Sequence, residues 1–251
     1  MIVLFTDFGL EGPYIGQVKA RILRDAPGTV IIDLLADAPN GDPKAAAYLL
    51  PAYIDEFPPG AIFVCVVDPG VGTERPGVVV EADGRWFVGP GNGLFELVCR
   101  RAADVRKWSL QWQTEIVSAT FHGRDVFAPA AARLACGRPP QGAQQPATWN
   151  SFADWPDDLA EVIYIDRYGN AATGLRGCFV NPTFVLQVNY VYLKAARTFA
   201  DVPPGDAFWY INANGLVEIA VNMGSATDKL GMRPGTRIDV GESTAESGAF
   251  R

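Results

Sequence analysis

The feature that most constrains the fold is an alternation of short β-branched runs with helical patterns across the first half of the chain. Ile2–Thr6 and Val30–Leu35 read as strands with a helical pattern, Tyr14–Arg24, between them. Asp42-Pro43 reads as an N-cap followed by Pro in the first helical turn, opening an Ala/Leu-rich helix. Ala61–Val67 is a continuous apolar run, as expected of a strand covered on both faces. Gly77–Ala82 and Arg85–Val88 follow as strands, then helical patterns from Leu94 and over Gly123–Leu134. Strand–helix alternation of this kind predicts an α/β layer with a largely parallel sheet.

The pattern changes at Gly137–Pro156, which is rich in Pro, Gly, Gln and Ala and has little periodicity. Beyond it lie short strand-like runs, Glu161–Ile165, Phe184–Leu193, Phe208–Ile211, Leu216–Val221 and Arg237–Val240, separated by Gly, Asn and Pro turns. The expected organisation is an α/β domain over 1–137, a linker over 138–156 and a smaller all-β, barrel-like domain over 157–251. The polar tail Gly241–Arg251 reads as frayed.

Charge and composition exclude several partners. Twenty-one basic against 28 acidic residues leave a net charge of −7, which argues against nucleic acid or an anionic membrane held through a broad basic face. No apolar stretch approaches a membrane span, and the N-terminal run is too short and lacks the basic residues of a signal peptide. Cys65, Cys99, Cys136 and Cys178 are far apart and accompanied by one His, so a metal site or disulfide framework is not expected. Scattered thiols in apolar contexts read as buried cysteines of a cytoplasmic protein.

Asp7, Asp33 and Asp68 fall at or just after predicted strand ends, where ligands bind an open parallel sheet. Asp33 reads as a turn residue. Asp7 and Asp68 sit in Gly-containing loops, Thr6–Gly9 and Asp68–Gly72, where backbone approaches a ligand closely, and read as functional. Gly89–Gly93 lacks a phosphate-loop Lys and reads as a tight turn. His122 stands at the start of a helical pattern, where the helix N-terminus disfavours the imidazolium. Asp166–Asn170 and Asn212–Gly215 read from the residues alone as hairpin turns.

Together these segments resemble the S-adenosylmethionine (SAM) hydrolases, or SAM hydroxide adenosyltransferases, relatives of the fluorinases and chlorinases. The matching motifs are TDFG (Thr6–Gly9), DPGVGTER (Asp68–Arg75), GPGNGL (Gly89–Leu94), TFHGRDVFAP (Thr120–Pro129), DRYGN (Asp166–Asn170) and NANGLVEIAVNMGSA (Asn212–Ala226), in the family's order. The resemblance implies SAM as the substrate, no cofactor, and a homotrimer with the site between subunits. It implies catalytic roles for Asp68, Arg75 and His122, ribose binding by Asp7, and an ammonium contact at Asp166. It further implies adenine contacts at Asn170, aromatic walls at Tyr168 and Phe199, a carboxylate contact near Ala213-Asn214 and backbone contacts near Asn222-Met223. Ala213 stands where many relatives have Ser, Asn40 where they present an aromatic ring, and Gly12-Pro13 where a polar residue is common. The expected reaction is hydrolysis of SAM to adenosine and L-methionine; the alternatives are a SAM-dependent halogenase and a non-catalytic SAM or adenosine sensor.

Overall fold

The structure, a computed structural model, describes residues 1–111 and 118–242. The chain divides into two compact units, Met1–Trp155 and Pro156–Arg251. In the first unit the elements run β1 (Ile2–Thr6), α1 (Tyr14–Asp25), β2 (Ile31–Leu35), α2 (Pro43–Leu49), β3 (Ile62–Val66), β4 (Gly77–Ala82), β5 (Arg85–Pro90), α3 (Glu96–Arg101), β6 (Val105–Leu110), α4 (Ala128–Ala135) and β7 (Gly142–Gln145). One sheet takes all the strands in the order β2-β1-β3-β5-β4-β6-β7.

That sheet is mixed, where the sequence pattern predicts a largely parallel one. β2, β1, β3 and β5 are parallel neighbours, whereas β5–β4, β4–β6 and β6–β7 are antiparallel. The cause is local: Asp83-Gly84 joins β4 to β5, both residues at positive φ (47° and 76°), and a two-residue turn of this kind returns the chain antiparallel. Strands β1 and β3 are buried along their whole length, and α1 lays Ile15, Val18 and Ile22 onto the same core as Ile2, Leu4 and Val64. α2 begins as its sequence requires: the Asp42 carboxylate accepts the Ala45 N–H at 2.9 Å, with Pro43 in the first turn.

The segment expected as a linker, 138–156, instead belongs to the first unit through Trp155. Gly142–Gln145 adds to the sheet as its edge strand, and Arg100 donates to the Phe152 and Trp155 carbonyls at 3.1 and 2.7 Å. Its Pro, Gly and Gln content suits an edge, where one side of the ladder needs no partner.

The second unit contains β8 (Leu159–Ile165), β9 (Ala171–Arg176), β10 (Phe184–Val188), β11 (Val191–Leu193), β12 (Ala207–Ile211), β13 (Leu216–Val221), α5 (Ala226–Leu230) and β14 (Asp239–Glu242). They form a four-stranded sheet, β12-β13-β9-β8, and a three-stranded one, β11-β10-β14, over a shared core that includes Trp209, Leu186 and Ile219. The expected run Phe184–Leu193 is a hairpin, broken by Asn189 and Tyr190 at positive φ. Backbone bonds also link the outer strands β8 and β12 to residues just before β14 and just after β11. Val162 and Ile238 donate to Thr236 and Ala160 at 2.8 and 2.9 Å, and Ala196 donates to Trp209 at 2.9 Å. Gly241 and Glu242, expected in a frayed tail, belong to β14, and the rest of that tail, 243–251, lies outside the described residues.

Cys65 is buried as expected, but Cys136 and Cys178 are exposed; all four cysteines are free thiols. Among the described residues, no helix is long and apolar enough to cross a membrane.

Candidate active site

Adjacent parallel strands deliver the first carboxylates. β1 and β3 run in register, Thr6 opposite Val66, so the loops after them leave the same sheet edge. Asp7 follows β1 directly, its N–H bonded to the Val66 carbonyl at 3.2 Å, and Asp68 follows β3. Asp33, by contrast, lies inside β2 rather than at its end and pairs at the surface with Lys19 at 2.5 Å. The segment Gly89–Gly93, expected as a turn, is instead the end of β5 and the bend after it, and it braces the loop after β3: Asn92 Nδ2 donates to the Val67 carbonyl at 2.9 Å, and a Cβ at Gly89 would collide with the Cys65 carbonyl.

The loop from Asp68 folds back on itself. Thr73 Oγ1 donates to the Gly70 carbonyl at 2.7 Å and accepts from the Arg75 N–H at 3.4 Å. Arg75 thereby turns its guanidinium onto Asp68, Nε donating to Oδ1 at 2.8 Å and Nη2 to Oδ2. Both side chains are almost out of water, 10% and 4% exposed, so this two-bond pair is only weakly screened. Nη1 donates to the Pro76 carbonyl at 3.2 Å, and Nη2 lies 3.1 Å from His122 Nδ1.

His122 is buried and stands at the N-terminus of a π-helical turn, Gly123–Phe127, that leads into α4. The sequence pattern predicts one continuous helix here; the wider turn is the kind of helix irregularity found at functional sites. The loop before His122 is tied down from behind. Asp125 Oδ2 accepts the Ser118 N–H at 2.9 Å and is itself held by Arg124 at 2.7 and 2.9 Å. Gly72, at φ 84°, touches this loop so closely that a Cβ would stand 2.6 Å from the Ala119 carbonyl oxygen. A Cβ on Gly123 would meet the Phe8 ring at 3.0 Å. Three loops, after β1, after β3 and before α4, therefore converge.

Burial and the neighbouring Arg75 cation hold the His122 pKa below its ordinary value, against the pull of Asp68 and Asp125. Burial and the negative charge of Asp68 push the Asp7 carboxyl up, against the Gly41 N–H that donates to Asp7 Oδ2 at 3.0 Å.

In the second unit Asp166 organises its own turn. Oδ1 accepts the backbone N–H groups of Tyr168 and Asn170 at 2.8 and 2.9 Å, and Oδ2 accepts Asn170 Nδ2 at 2.9 Å. Asn170 is buried and Tyr168 exposed. Gly169, at φ 81°, packs against Ser225, so this turn and the Asn222–Ser225 turn are in contact. Met223 is exposed at positive φ, and Asn222 Nδ2 donates to the Val202 carbonyl at 2.6 Å. Phe199 packs edge-on against Phe208 and Tyr210 at 5.2 and 5.5 Å. Ala213 and Asn214 lie apart from these, at the β12–β13 hairpin tip, with all of β13 between them and Asn222. Six residues of strand span about 20 Å.

Sequence reasoning missed a polar cluster beside Asp166. Tyr210 Oη donates to Glu218 Oε1, and Asn212 Nδ2 donates to Glu218 Oε2 at 2.8 Å. Burial, Glu218 and Asp166 raise the Tyr210 pKa. The available signal was Glu218 itself, the one charged residue in the apolar run Leu216–Val221. Among the described residues, no group of three or more His, Cys, Asp or Glu is placed to hold a metal ion.

Residues 2–144 match the family profile described as SAM hydroxide adenosyltransferase N-terminal domain, and residues 160–239 match its C-terminal domain. A Thermus thermophilus protein named (R)-S-adenosyl-L-methionine hydrolase is 40% identical over 94% of this chain and 98% of its own length. One of the same name from Salinispora tropica is 35% identical over 94% and 95%. A fluorinase from Actinopolyspora mzabensis is more distant, at 23% over 97% of both chains. A crystal structure of an uncharacterized conserved protein from Thermotoga maritima superposes with a TM-score of 0.86 at 29% identity, covering 96% of this chain and 99% of that one. With both domain profiles matched in order and relatives this similar along almost the whole length, the chain belongs to the SAM hydroxide adenosyltransferase family.

Proposed function

We propose that this protein hydrolyses SAM to adenosine and L-methionine by in-line attack of water at the ribose C5′. The observation that carries the reading is Arg75 clamped between Asp68 and His122, in a chain of this family. The sulfonium leaves as a neutral thioether, so the leaving group needs neither a general acid nor a cofactor. The chemistry needs an oriented nucleophile and a place for one proton, and a carboxylate, a guanidinium and an imidazole held in one cluster supply both. Asp7 would hold the ribose hydroxyls. Asp166 would take the methionine ammonium, with Asn170, Tyr168, Phe199 and the backbone at Asn222-Met223 around the adenine, and Ala213-Asn214 near the carboxylate.

The same reading includes a barrel-like second unit, supported by backbone bonds from the outer strands β8 and β12 to the segments flanking β14 and β11. It includes a homotrimer in which neighbouring subunits share each site, and a cytoplasmic setting in keeping with four free thiols. Purified protein incubated with SAM should release adenosine, followed by chromatography, at a rate well above that of His122→Ala. Formation of 5′-chloro-5′-deoxyadenosine in chloride buffer would point to a halogenase instead. Tight SAM binding without turnover would point to a sensor.

A further inference from the structure

The hydrogen bonds of Arg75 fix the state of the imidazole. A guanidinium carries only donors, so every atom it bonds must offer a lone pair. Arg75 Nη2 has two hydrogens; one goes to Asp68 Oδ2 and the other points at His122 Nδ1, 3.1 Å away. Nδ1 therefore presents its lone pair. That arrangement excludes the imidazolium and the tautomer protonated at Nδ1, and leaves the proton on Nε2. Among the described residues, the charges bearing on His122 include Asp68 and Arg75 from one loop and Asp125 from its own π turn, while Asp7 acts on Asp68 from the loop after β1. The cation among them touches the ring directly, and burial adds to its effect on the imidazolium.

A ring in this state is a poor proton acceptor: Nε2 has no free lone pair, and the Nδ1 pair is engaged by Arg75. From this geometry we infer that His122 serves the reaction as a hydrogen-bond donor through Nε2–H, and that Asp68 accepts the proton of the attacking water. The inference rests on the hydrolase reading. In the step, a water lone pair forms the O–C5′ bond while the C5′–S electron pair leaves on sulfur, turning the sulfonium into the neutral thioether of methionine. The oxygen, now part of a protonated alcohol, is a far stronger acid than a carboxylic acid. It passes a proton to Asp68, which releases it to solvent. Each Asp68 oxygen keeps one lone pair beyond those used by Arg75, so the carboxylate can take that proton without leaving the pair.

Because His122 is the sole histidine, protein labelled with nitrogen-15 histidine gives a single imidazole. Long-range proton–nitrogen correlation between about pH 6 and about pH 8 should show a neutral ring protonated at Nε2. A proton on Nδ1, or an imidazolium across that range, overturns the inference. In turnover assays His122→Gln, which keeps an N–H donor but no base, should retain a kcat about tenfold or more above that of His122→Ala. Equal loss in the two variants, with wild type active, overturns the donor role. Wild-type protein that releases no adenosine from SAM overturns the hydrolase reading itself, whatever the resonances show.

Discussion

Asp7 carries opposing influences on one carboxylate. Burial and Asp68 favour the protonated form, while the Gly41 N–H favours the anion. The net effect raises the folded-state pKa above the unfolded one, so the ionised form present at neutral pH costs stability. That cost is full above the folded pKa and is relieved as pH falls through it, because the folded state then takes its proton first. Asp7→Asn removes the charge and keeps an oxygen for Gly41. It should stabilise the fold at neutral pH by less than about 1 kcal/mol, since the group is part-exposed, and so raise the melting temperature, and the gain should shrink on acidification. Thermal denaturation of both proteins across that pH range checks the sign. Asp68 is nearly buried, and Asp68→Ala would strand the Arg75 guanidinium, at a cost on the order of 3 kcal/mol in chemical denaturation. Asp7 and Asp68 were legible in the sequence because strand-end loops with Gly advertise themselves. Glu218 was not, because its partners Tyr210 and Asn212 become neighbours only through a hairpin pairing.

Elements were legible where local chemistry alone decides them. β1 and the capped start of α2 stand where their residues place them. Three strands escaped sequence reading for the opposite reason. β6 interleaves charges in Val105–Leu110, β7 is four small or polar residues, and β9 is Ala/Gly-rich. Each is made a strand by its neighbours: a Cβ on Gly174 of β9 would stand 2.6 Å from Leu159 Cβ of β8, so the small residues there are required by close strand packing. The start of α2 also couples an element to the site, because Gly41, which holds Asp7, immediately precedes the capping Asp42. Asp42→Ala should cost about 1 kcal/mol of stability. By loosening Gly41 it should raise KM for SAM more than it lowers kcat, a split that steady-state kinetics reads directly.

At the scale of the molecule, the proposed chemistry is divided along the chain. Asp68, Arg75 and His122 belong to the first unit, and Asp166, Asn170 and Phe199 to the second, each unit with its own apolar core. The proposed trimer assigns the two halves of each site to different subunits, which a complementation experiment isolates. Asp68→Asn disables the first half, and Asp166→Asn disables the second while keeping an oxygen for the Tyr168 and Asn170 backbone N–H groups. Each variant alone should be inactive. Co-expressed in equal amounts, they assemble mixed rings in which some sites join an intact first unit of one chain to an intact second unit of its neighbour. In a closed cyclic trimer with random assortment about a quarter of the sites meet that condition, so activity should recover to roughly that fraction of wild type. If both halves of a site came from one chain, no site in any mixture would be intact, and the co-expressed protein would stay as inactive as its parents.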